Sequence, residues 1–248
     1  PLLSAIGRLF FHSPARDFHC GLRGFTRAAF DRMNLQTTGM EFASEMVIKA
    51  TLVGLRITEV PTTLDKDGRT RAPHLRPWRD GWRHLRFMLL YCPRWLFLYP
   101  GAALFIAGCL TFGVMLLPSL ANGLLAGLEA HTLLLASVAV LLGFQSVAFA
   151  FCARFYALSE GLLPEDPTLE RMFRFFTLET GLAAGVALLC LGLATGIWAA
   201  VAWTLGGAGP VDSRDTILLA IPSATAICLG GQVIFTSFLL SFLGLRKR

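Results

Sequence analysis

Charged residues are scarce in this chain, and the scarcity is uneven. Only 15% of its 248 residues are Asp, Glu, Lys or Arg, against about 25% in typical soluble domains. The deficit falls after about residue 94, where the sequence is apolar and rich in Gly, Ala, Leu and Phe. The composition therefore excludes a wholly soluble protein and predicts a membrane protein with a soluble segment at its N-terminal end.

Lysine is nearly absent, since only Lys49, Lys66 and Lys247 occur, and arginine supplies most of the positive charge behind the net value of +6. A basic excess can serve nucleic acids, but no DNA- or RNA-binding motif is present. Much of the excess lies beside apolar segments, so an anionic or phosphorylated lipid is the favoured partner.

Paired cysteine spacings are also missing. The six cysteines are isolated, and Cys109, Cys190 and Cys228 lie inside apolar runs, where cysteine behaves as a small hydrophobic residue. We therefore expect neither a disulfide framework nor a zinc site. No ionisable residue falls in the middle of a predicted span, which argues against an ion-coupled transporter.

Four apolar stretches are long enough to cross a membrane: residues 95–117, about 131–152, about 176–203 and 216 to about 243. The segment 118–130 contains no Lys or Arg, whereas the basic stretch before the first span, the middle loop and the C-terminal tail contain several. This distribution predicts an integral membrane protein, of the bacterial inner-membrane type, with the soluble part and both ends in the cytoplasm.

Gln145 and Gln232 are the main uncharged polar side chains of the second and fourth spans. Such residues favour hydrogen bonding between helices, with a role at a lipid headgroup or a gate as the alternative. The spans pair as two hairpins, which leaves an internal repeat open, but no convincing sequence periodicity relates the two halves.

The first 68 residues carry signals of mixed α and β structure. We expect an amphipathic helix ending before Pro14, a helix capped by Thr26 and a third helix over residues 42–52. Residues 18–25 suggest a strand or a tight active-site segment, and residues 55–60 alternate as a half-buried strand does. About 60 residues would bury only a marginal core. We therefore expect the closing part of a larger α/β domain.

Seven arginines lie from Arg69 to Arg94, with both ends counted, and they make this stretch a basic juxtamembrane segment. From about residue 76 the spacing predicts an interfacial amphipathic helix, with one apolar face and a neighbouring basic face. The apolar face holds Trp78, Trp82, Leu85 and Leu89, and the basic face holds Arg79, Arg83 and Arg86. Arg69 and Arg71 precede this helix on a loop, where guanidinium groups suit phosphate oxygens. A purely electrostatic anchor is the alternative.

Four short motifs occur in order: DFHCGLRGF at 17–25, FASEM at 42–46, ITEVP at 57–61 and DGRTR at 67–71. Together they resemble segments of the family 2 glycosyltransferases that act on polyprenyl phosphates, namely the dolichol-phosphate mannose and glucose synthases and their bacterial relatives. Two positions depart from the family pattern, because Ala43 replaces a frequent acid and Arg71 replaces a lysine.

The resemblance implies an α+β membrane protein of three parts. Residues 1–68 would be the C-terminal part of a GT-A domain, 69–94 the juxtamembrane segment, and 95–248 a four-helix transmembrane domain. The implied activity is hexose transfer from a sugar nucleotide to a polyprenyl phosphate. The divalent metal, Mg or Mn, would be held by an Asp-x-Asp motif upstream of this chain, so the chain alone should be inactive.

The resemblance also assigns roles to residues. Asp17 and Glu45 would be catalytic, and Arg23, Arg69 and Arg71 would bind phosphate; no residue here is assigned to the metal. The alternatives are a turn or cap at Asp17 and an ordinary helix pair between Glu45 and Lys49. His19 is expected to be a packed loop histidine, with an approach to the metal as the alternative. Residues 65–67 are expected to be a solvated turn.

A non-catalytic hypothesis is the alternative to the glycosyltransferase hypothesis. The chain would then be a four-span scaffold, or a module that translocates a lipid-phosphate sugar. The sequence leaves the oligomeric state undecided.

Overall fold

A computed structural model describes residues 2–39, 41–63, 68, 76–115, 129–159, 177–205 and 214–245. The chain divides into two compact units, Pro1–Leu96 and Phe97–Arg248. Arg69, Arg71 and the predicted turn at 65–67 lie outside the described residues.

In the part of the N-terminal unit that the structure describes there are four helices: α1 Leu2–Phe11, α2 Arg27–Met33, α3 Phe42–Leu52 and α4 Pro77–Tyr91. Thr26 caps α2, because its Oγ1 accepts a hydrogen bond of 3.2 Å from the backbone N–H of Ala29. Pro77 opens α4, where its missing N–H costs nothing and its fixed φ suits the first turn. All four predicted helices are confirmed.

The core of this unit lies between α1, α3 and α4. Phe18, Ile48 and Met88 are fully buried there, together with Phe11 and Phe87. A smaller cluster of Met33, Met46 and Ala50 packs α2 against α3.

The two predicted strands are not confirmed, since the described residues contain helices but no strand. Residues 18–25 are irregular. Over residues 55–58 the exposure nevertheless alternates, because Leu55 and Ile57 are partly buried while Arg56 and Thr58 are exposed. This segment has the one-sided pattern of a strand, but a ladder needs a second strand, which the described residues do not supply.

The described residues of the C-terminal unit contain four long helices: α5 Tyr99–Met115, α6 Glu129–Ser159, α7 Leu178–Leu205 and α8 Arg214–Leu245. A π-helical turn, Arg94–Leu98, precedes α5. When this turn is counted with α5, all four helices are long and apolar enough to cross a membrane, which confirms the predicted spans. The second runs seven residues beyond its predicted end, to Ser159.

Glycines allow these helices to approach closely in two antiparallel pairs, α5 with α6 and α7 with α8. A Cβ at Gly101 would lie 3.0 Å from the carbonyl oxygen of Gly143, and a Cβ at Gly185 would lie 2.9 Å from that of Gly230. Small residues at such contacts let helix backbones touch. This favours association in a membrane, where lipid tails are as apolar as the side chains and close packing drives helices together.

The α6 and α8 helices also contact each other. Ser137 and Thr225 share a hydrogen bond of 2.7 Å between their hydroxyls. One turn earlier on both helices, Leu133 packs with Met115, Leu218 and Ile221. Because both contacts advance in the same direction along the two helices, α6 and α8 run parallel.

Gln232 lies two turns after Thr225 on α8, and its Oε1 is buried without a hydrogen-bond partner among the described residues. Gln232→Leu should therefore raise the free energy of unfolding by about 1 kcal/mol, because it removes an unsatisfied group. Thr225→Val, which removes the bond to Ser137, should lower it by about 0.6 kcal/mol. Unfolding in detergent micelles measures both. A loss of stability in Gln232→Leu would contradict the expectation.

Candidate functional site

Arg23 fastens residues 17–25 to the first turn of α3. Its Nε donates to the Cys20 carbonyl at 2.8 Å, its Nη2 to the Phe18 carbonyl at 2.6 Å and its Nη1 to the Ala43 carbonyl at 2.5 Å. Burial lowers the pKa of this guanidinium from its ordinary value. A guanidinium has five N–H donors, so two remain for another acceptor such as a phosphate.

Asp17 is exposed and forms a local turn, because its Oδ1 accepts a 2.8 Å hydrogen bond from the His19 N–H. The turn is anchored from a distance by Glu59, a residue that the sequence did not single out. Its Oε1 accepts from the backbone N–H groups of Arg16 at 2.6 Å and Asp17 at 3.1 Å. The turn expected as an alternative for Asp17 is therefore present.

Glu45 is fully buried on α3, and both of its carboxylate oxygens are used by the protein itself. They accept from Lys49 Nζ at 2.9 Å, from the Gln36 N–H at 3.0 Å and from Thr37 Oγ1 at 2.6 Å. Burial by itself raises the pKa of this carboxyl, but the hydrogen bonds outweigh it and leave the pKa below its ordinary value. The geometry thus supports the pairing of Glu45 with Lys49, while its predicted catalytic role stays a prediction.

Three further polar residues meet where residues 17–25, α3 and α4 come together. Ser44 Oγ lies 3.0 Å from Nδ1 of His84, and both side chains are buried. The His19 ring packs edge-on against His84 with 4.6 Å between centroids, and its Nε2 is buried without a hydrogen-bond partner in the described part of the chain. His19 is thus packed, as expected. Ser44 and His84 were missed, because 40 residues separate them.

The two histidines predict a stability loss in mild acid. Burial lowers the pKa of both histidines. At His84, Arg83 lowers the pKa further, while Glu41 and Asp80 raise it. At His19, the charges of His84 and Arg23 lower the pKa further, while Asp17 raises it. Opening the His19–His84 contact would let both rings bind protons. The stabilisation from this contact is therefore fully present above the ordinary histidine pKa of 6.5, and it is lost as pH falls through the lowered pKa values of the folded state.

Hydrogen exchange of peptides covering 13–25 and 77–91 measures this effect, after correction for intrinsic exchange. Protection should fall by up to about tenfold per pH unit for each proton taken up on opening. His19→Gln should reduce the fall. His12→Asn is the control, since His12 is exposed and its φ of 53° suits asparagine. Equal protection at about pH 7.5 and about pH 5.5 would contradict the reasoning.

The α4 helix has two distinct faces. Asp80, His84, Phe87 and Met88 are buried against the rest of the N-terminal unit, whereas Trp78 is 94% exposed. The exposed face is aromatic and basic, as an interfacial helix requires, and consists of Trp78, Arg79, Trp82, Arg83 and Arg86.

Two details of the predicted α4 surface differ in the structure. Leu85 and Leu89, assigned to the same apolar face as the tryptophans, are partly buried. Arg83 makes a two-pronged ion pair with Glu41, with Nε–Oε1 at 2.8 Å and Nη2–Oε2 at 3.2 Å. This pair joins α4 to the start of α3, so one of the predicted interface arginines already has a protein partner.

Among the described residues, no group of three or more His, Cys, Asp or Glu side chains could hold a metal ion. The described residues therefore offer no ligand set for the divalent metal, which the resemblance places upstream of this chain. Asp17 and Arg23 belong to the segment 17–25 and Glu45 belongs to α3; the bond from Arg23 to Ala43 links the two elements. Arg69 and Arg71 lie outside the described residues.

Four spans following a unit with an exposed tryptophan–arginine helix define an integral membrane protein. Residues 151–244 match the family described as glycosyltransferase family 2 C-terminal transmembrane region. The resemblance inferred from the sequence is thereby confirmed: this chain resembles the C-terminal membrane part of a family 2 glycosyltransferase.

Two curated relatives, both from Haloferax volcanii, agree with this family. The chain is 34% identical over 248 residues to the low-salt glycan biosynthesis hexosyltransferase Agl6, and the alignment covers 98% of this chain and 57% of Agl6. It is 32% identical over 71 residues to the glycosyltransferase AglD, covering 28% of this chain and 11% of AglD. The chain thus spans little more than half of Agl6. No solved structure matches it significantly.

Proposed function

We propose that a protein carrying this chain is a membrane-bound hexosyltransferase that transfers a hexose from a sugar nucleotide to a polyprenyl phosphate. The observation that carries this proposal is the similarity to Agl6, which extends over 98% of the chain and includes both the N-terminal unit and the spans. The phosphate acceptor is inferred from the motifs of the N-terminal unit and from the arginines beside the first span.

A phosphate acceptor needs little help from a general base, because it is already ionised at neutral pH. The site must instead neutralise two sets of phosphates and align the acceptor oxygen with the anomeric carbon. Arg69 and Arg71 would hold the acceptor phosphate, and the two spare donors of Arg23 would face a nucleotide or acceptor phosphate. A divalent metal, if held elsewhere in the protein, would neutralise the nucleotide diphosphate.

The remaining residues would position the site. The exposed face of α4 would lie in the headgroup layer, with Trp78 and Trp82 as aromatic anchors and Arg79 and Arg86 on anionic headgroups. Asp17 and Glu59 would fix the turn that begins the Arg23 segment, and Glu45 would fix the loop before α3. Soluble part and chain ends would face the cytoplasm, in keeping with the distribution of arginines.

The test uses the full-length protein in membranes, labelled hexose nucleotides and a polyprenyl phosphate. Arg69→Ala/Arg71→Ala should reduce transfer to background while membrane insertion is unchanged, because only the phosphate grip is lost. Arg27→Ala is the control, since this arginine is 95% exposed on α2 and should leave transfer intact.

The result can fail in separable ways. Unchanged transfer by the double variant would remove these arginines from the site, and loss of insertion would make them anchors. No hexose transfer by the wild-type protein with any nucleotide would refute the proposal and favour the scaffold or translocation alternative. Transfer by residues 1–248 alone would contradict the expected inactivity of this part.

A further inference from the structure

The two hairpins of the C-terminal unit pack by the same contacts. A Cβ at Gly101 would meet the Gly143 carbonyl oxygen and the Val147 nitrogen at 3.0 and 3.1 Å. A Cβ at Gly185 would meet the Gly230 carbonyl oxygen and the Ile234 nitrogen at 2.9 and 3.2 Å. The first contact thus recurs in the second hairpin, 84 residues later on the first helix and 87 residues later on the second.

A second pair of contacts repeats with the same offsets. Gly108 faces the Ala136 carbonyl oxygen at 2.8 Å and the Val140 nitrogen at 2.9 Å. Its counterpart Gly192 faces the Ser223 carbonyl oxygen and the Ile227 nitrogen at the same two distances. The offset of 87 also aligns Gln145 with Gln232.

These agreements identify the hairpin α5–α6 as repeat one and the hairpin α7–α8 as repeat two. Both repeats begin with the glycine-bearing helix and have the same direction in the membrane, so they are parallel rather than inverted repeats. Each residue of one repeat therefore has an equivalent in the other, whose surroundings can be compared.

The repeats are joined through unlike faces. Repeat one supplies a receiving face, in which Leu133 is 1% exposed and Ser137 is partly buried. Repeat two supplies an inserting face, with Ile221 packed against the cluster of Leu133 and Met115 and Thr225 bonded to Ser137. Such a heterologous contact leaves one face of each kind unused.

The unused receiving face is a groove between α7 and α8. The equivalents of Leu133 and Ser137 are Ala220 and Ala224, and both are exposed. They line a groove of about 350 Å³ together with Gly196 and Ala199, the equivalents of Phe112 and Met115. All four positions of this groove hold smaller residues than the equivalent positions of repeat one.

The unused inserting face lies on α6. The equivalents of Ile221 and Thr225 are Leu134 and Val138, which are 55% and 45% exposed, whereas Thr225 is 5% exposed. Ser137 and Thr225 form a polar pair within the chain. Their equivalents on the two free faces, Ala224 and Val138, are both apolar. The two free faces are thus both apolar, one with small side chains and the other with larger ones.

We propose that the groove between α7 and α8 receives the Leu134–Val138 face of α6 from a second copy of this chain. The contact continues the one that the repeats already make within a single chain. Because a small-residue groove would meet a larger apolar ridge, close packing would drive association within the membrane. The partners associate head to tail, so the assembly closes into a ring or extends.

Disulfide trapping between differently tagged copies tests this in membrane vesicles. Both copies have the six native cysteines replaced by alanine; one carries Val138→Cys and the other Ala224→Cys. We expect covalent dimers containing both tags when the two copies are mixed and none from either variant alone, because unlike faces meet. Val186→Cys with Ala224→Cys is the control for random collision, since Val186 on α7 is 49% exposed, close to the 45% of Val138.

A filled groove gives the second measurement. Ala220→Phe, placed in the Ala224→Cys copy, should reduce trapping to the level of the Val186 control. The proposal is overturned if the Val138→Cys and Ala224→Cys copies form no more covalent dimer than the Val186→Cys control and no more than the Ala220→Phe variant. It is also overturned if Ala224→Cys alone forms dimers as well as the mixture does. Labelling of position 224 by a photoactivatable lipid without any trapping would assign the groove to lipid.

Discussion

Glu45→Ala should destabilise the N-terminal unit by about 3–5 kcal/mol, because it leaves a buried lysine without its counter-charge. Lys49 is 6% exposed at its side chain, and its Nζ donates to Glu45 and to the Asn34 carbonyl oxygen. The same change frees the backbone N–H groups of Gln36 and Thr37. The loop before α3 and the first turns of α3 should therefore loosen together.

Hydrogen exchange of α3 amides measures this effect in the full chain. Lys49→Met should also destabilise, and the double variant Glu45→Leu/Lys49→Met should recover much of the loss, since apolar replacement of a buried pair is often neutral. Additive losses in the double variant would contradict the pairing. Because the Glu45 pKa is lowered, its contribution is present above the ordinary value of 4.5 and is lost as pH falls through the folded-state pKa.

The second large effect is expected in the first hairpin. Gly143→Leu should destabilise the pairing of α5 with α6 by about 3 kcal/mol, at the upper end of typical overpacking costs. A Cβ there would lie 2.7 Å from the Phe105 Cα and 2.8 Å from the Gly101 carbonyl oxygen. Both neighbours are backbone atoms, so the helices must separate.

A matched control lies on α5 itself. Gly113→Leu adds the same side chain to the same hairpin where no atom lies within 4 Å of the new Cβ. It should leave the unfolding midpoint in detergent micelles nearly unchanged, or raise it, because leucine has the better helix propensity. Equal effects of the two substitutions would show that the close contact at Gly143 does not limit stability.

The helices could be predicted because their signals are local. The Thr26 cap, the i, i+4 pair of Glu45 and Lys49, and the apolar runs of the spans all lie within a few turns of chain. The strands were not confirmed for the opposite reason, since a strand requires a partner that local alternation does not supply.

The site contacts could be predicted only in part. Arg23 stood out beside two glycines, but its bond to Ala43 spans 20 residues, and no spacing rule connects them. Glu59 and His84 were missed because their partners lie about 40 residues away. The repeat is not evident in the sequence, because its two helices need different offsets, 84 and 87, and the few shared residues are set by helix packing.

The segment Leu55–Val60 has a practical consequence. The exposure of residues 55–58 alternates as in a strand, and the described part of the chain offers the segment no ladder. A strand edge left open is a template for other chains, so such edges promote aggregation unless charge or proline guards them. Arg56 and Pro61 offer limited protection. A preparation of the N-terminal unit alone should therefore be kept dilute, or supplied with a strand that covers this edge.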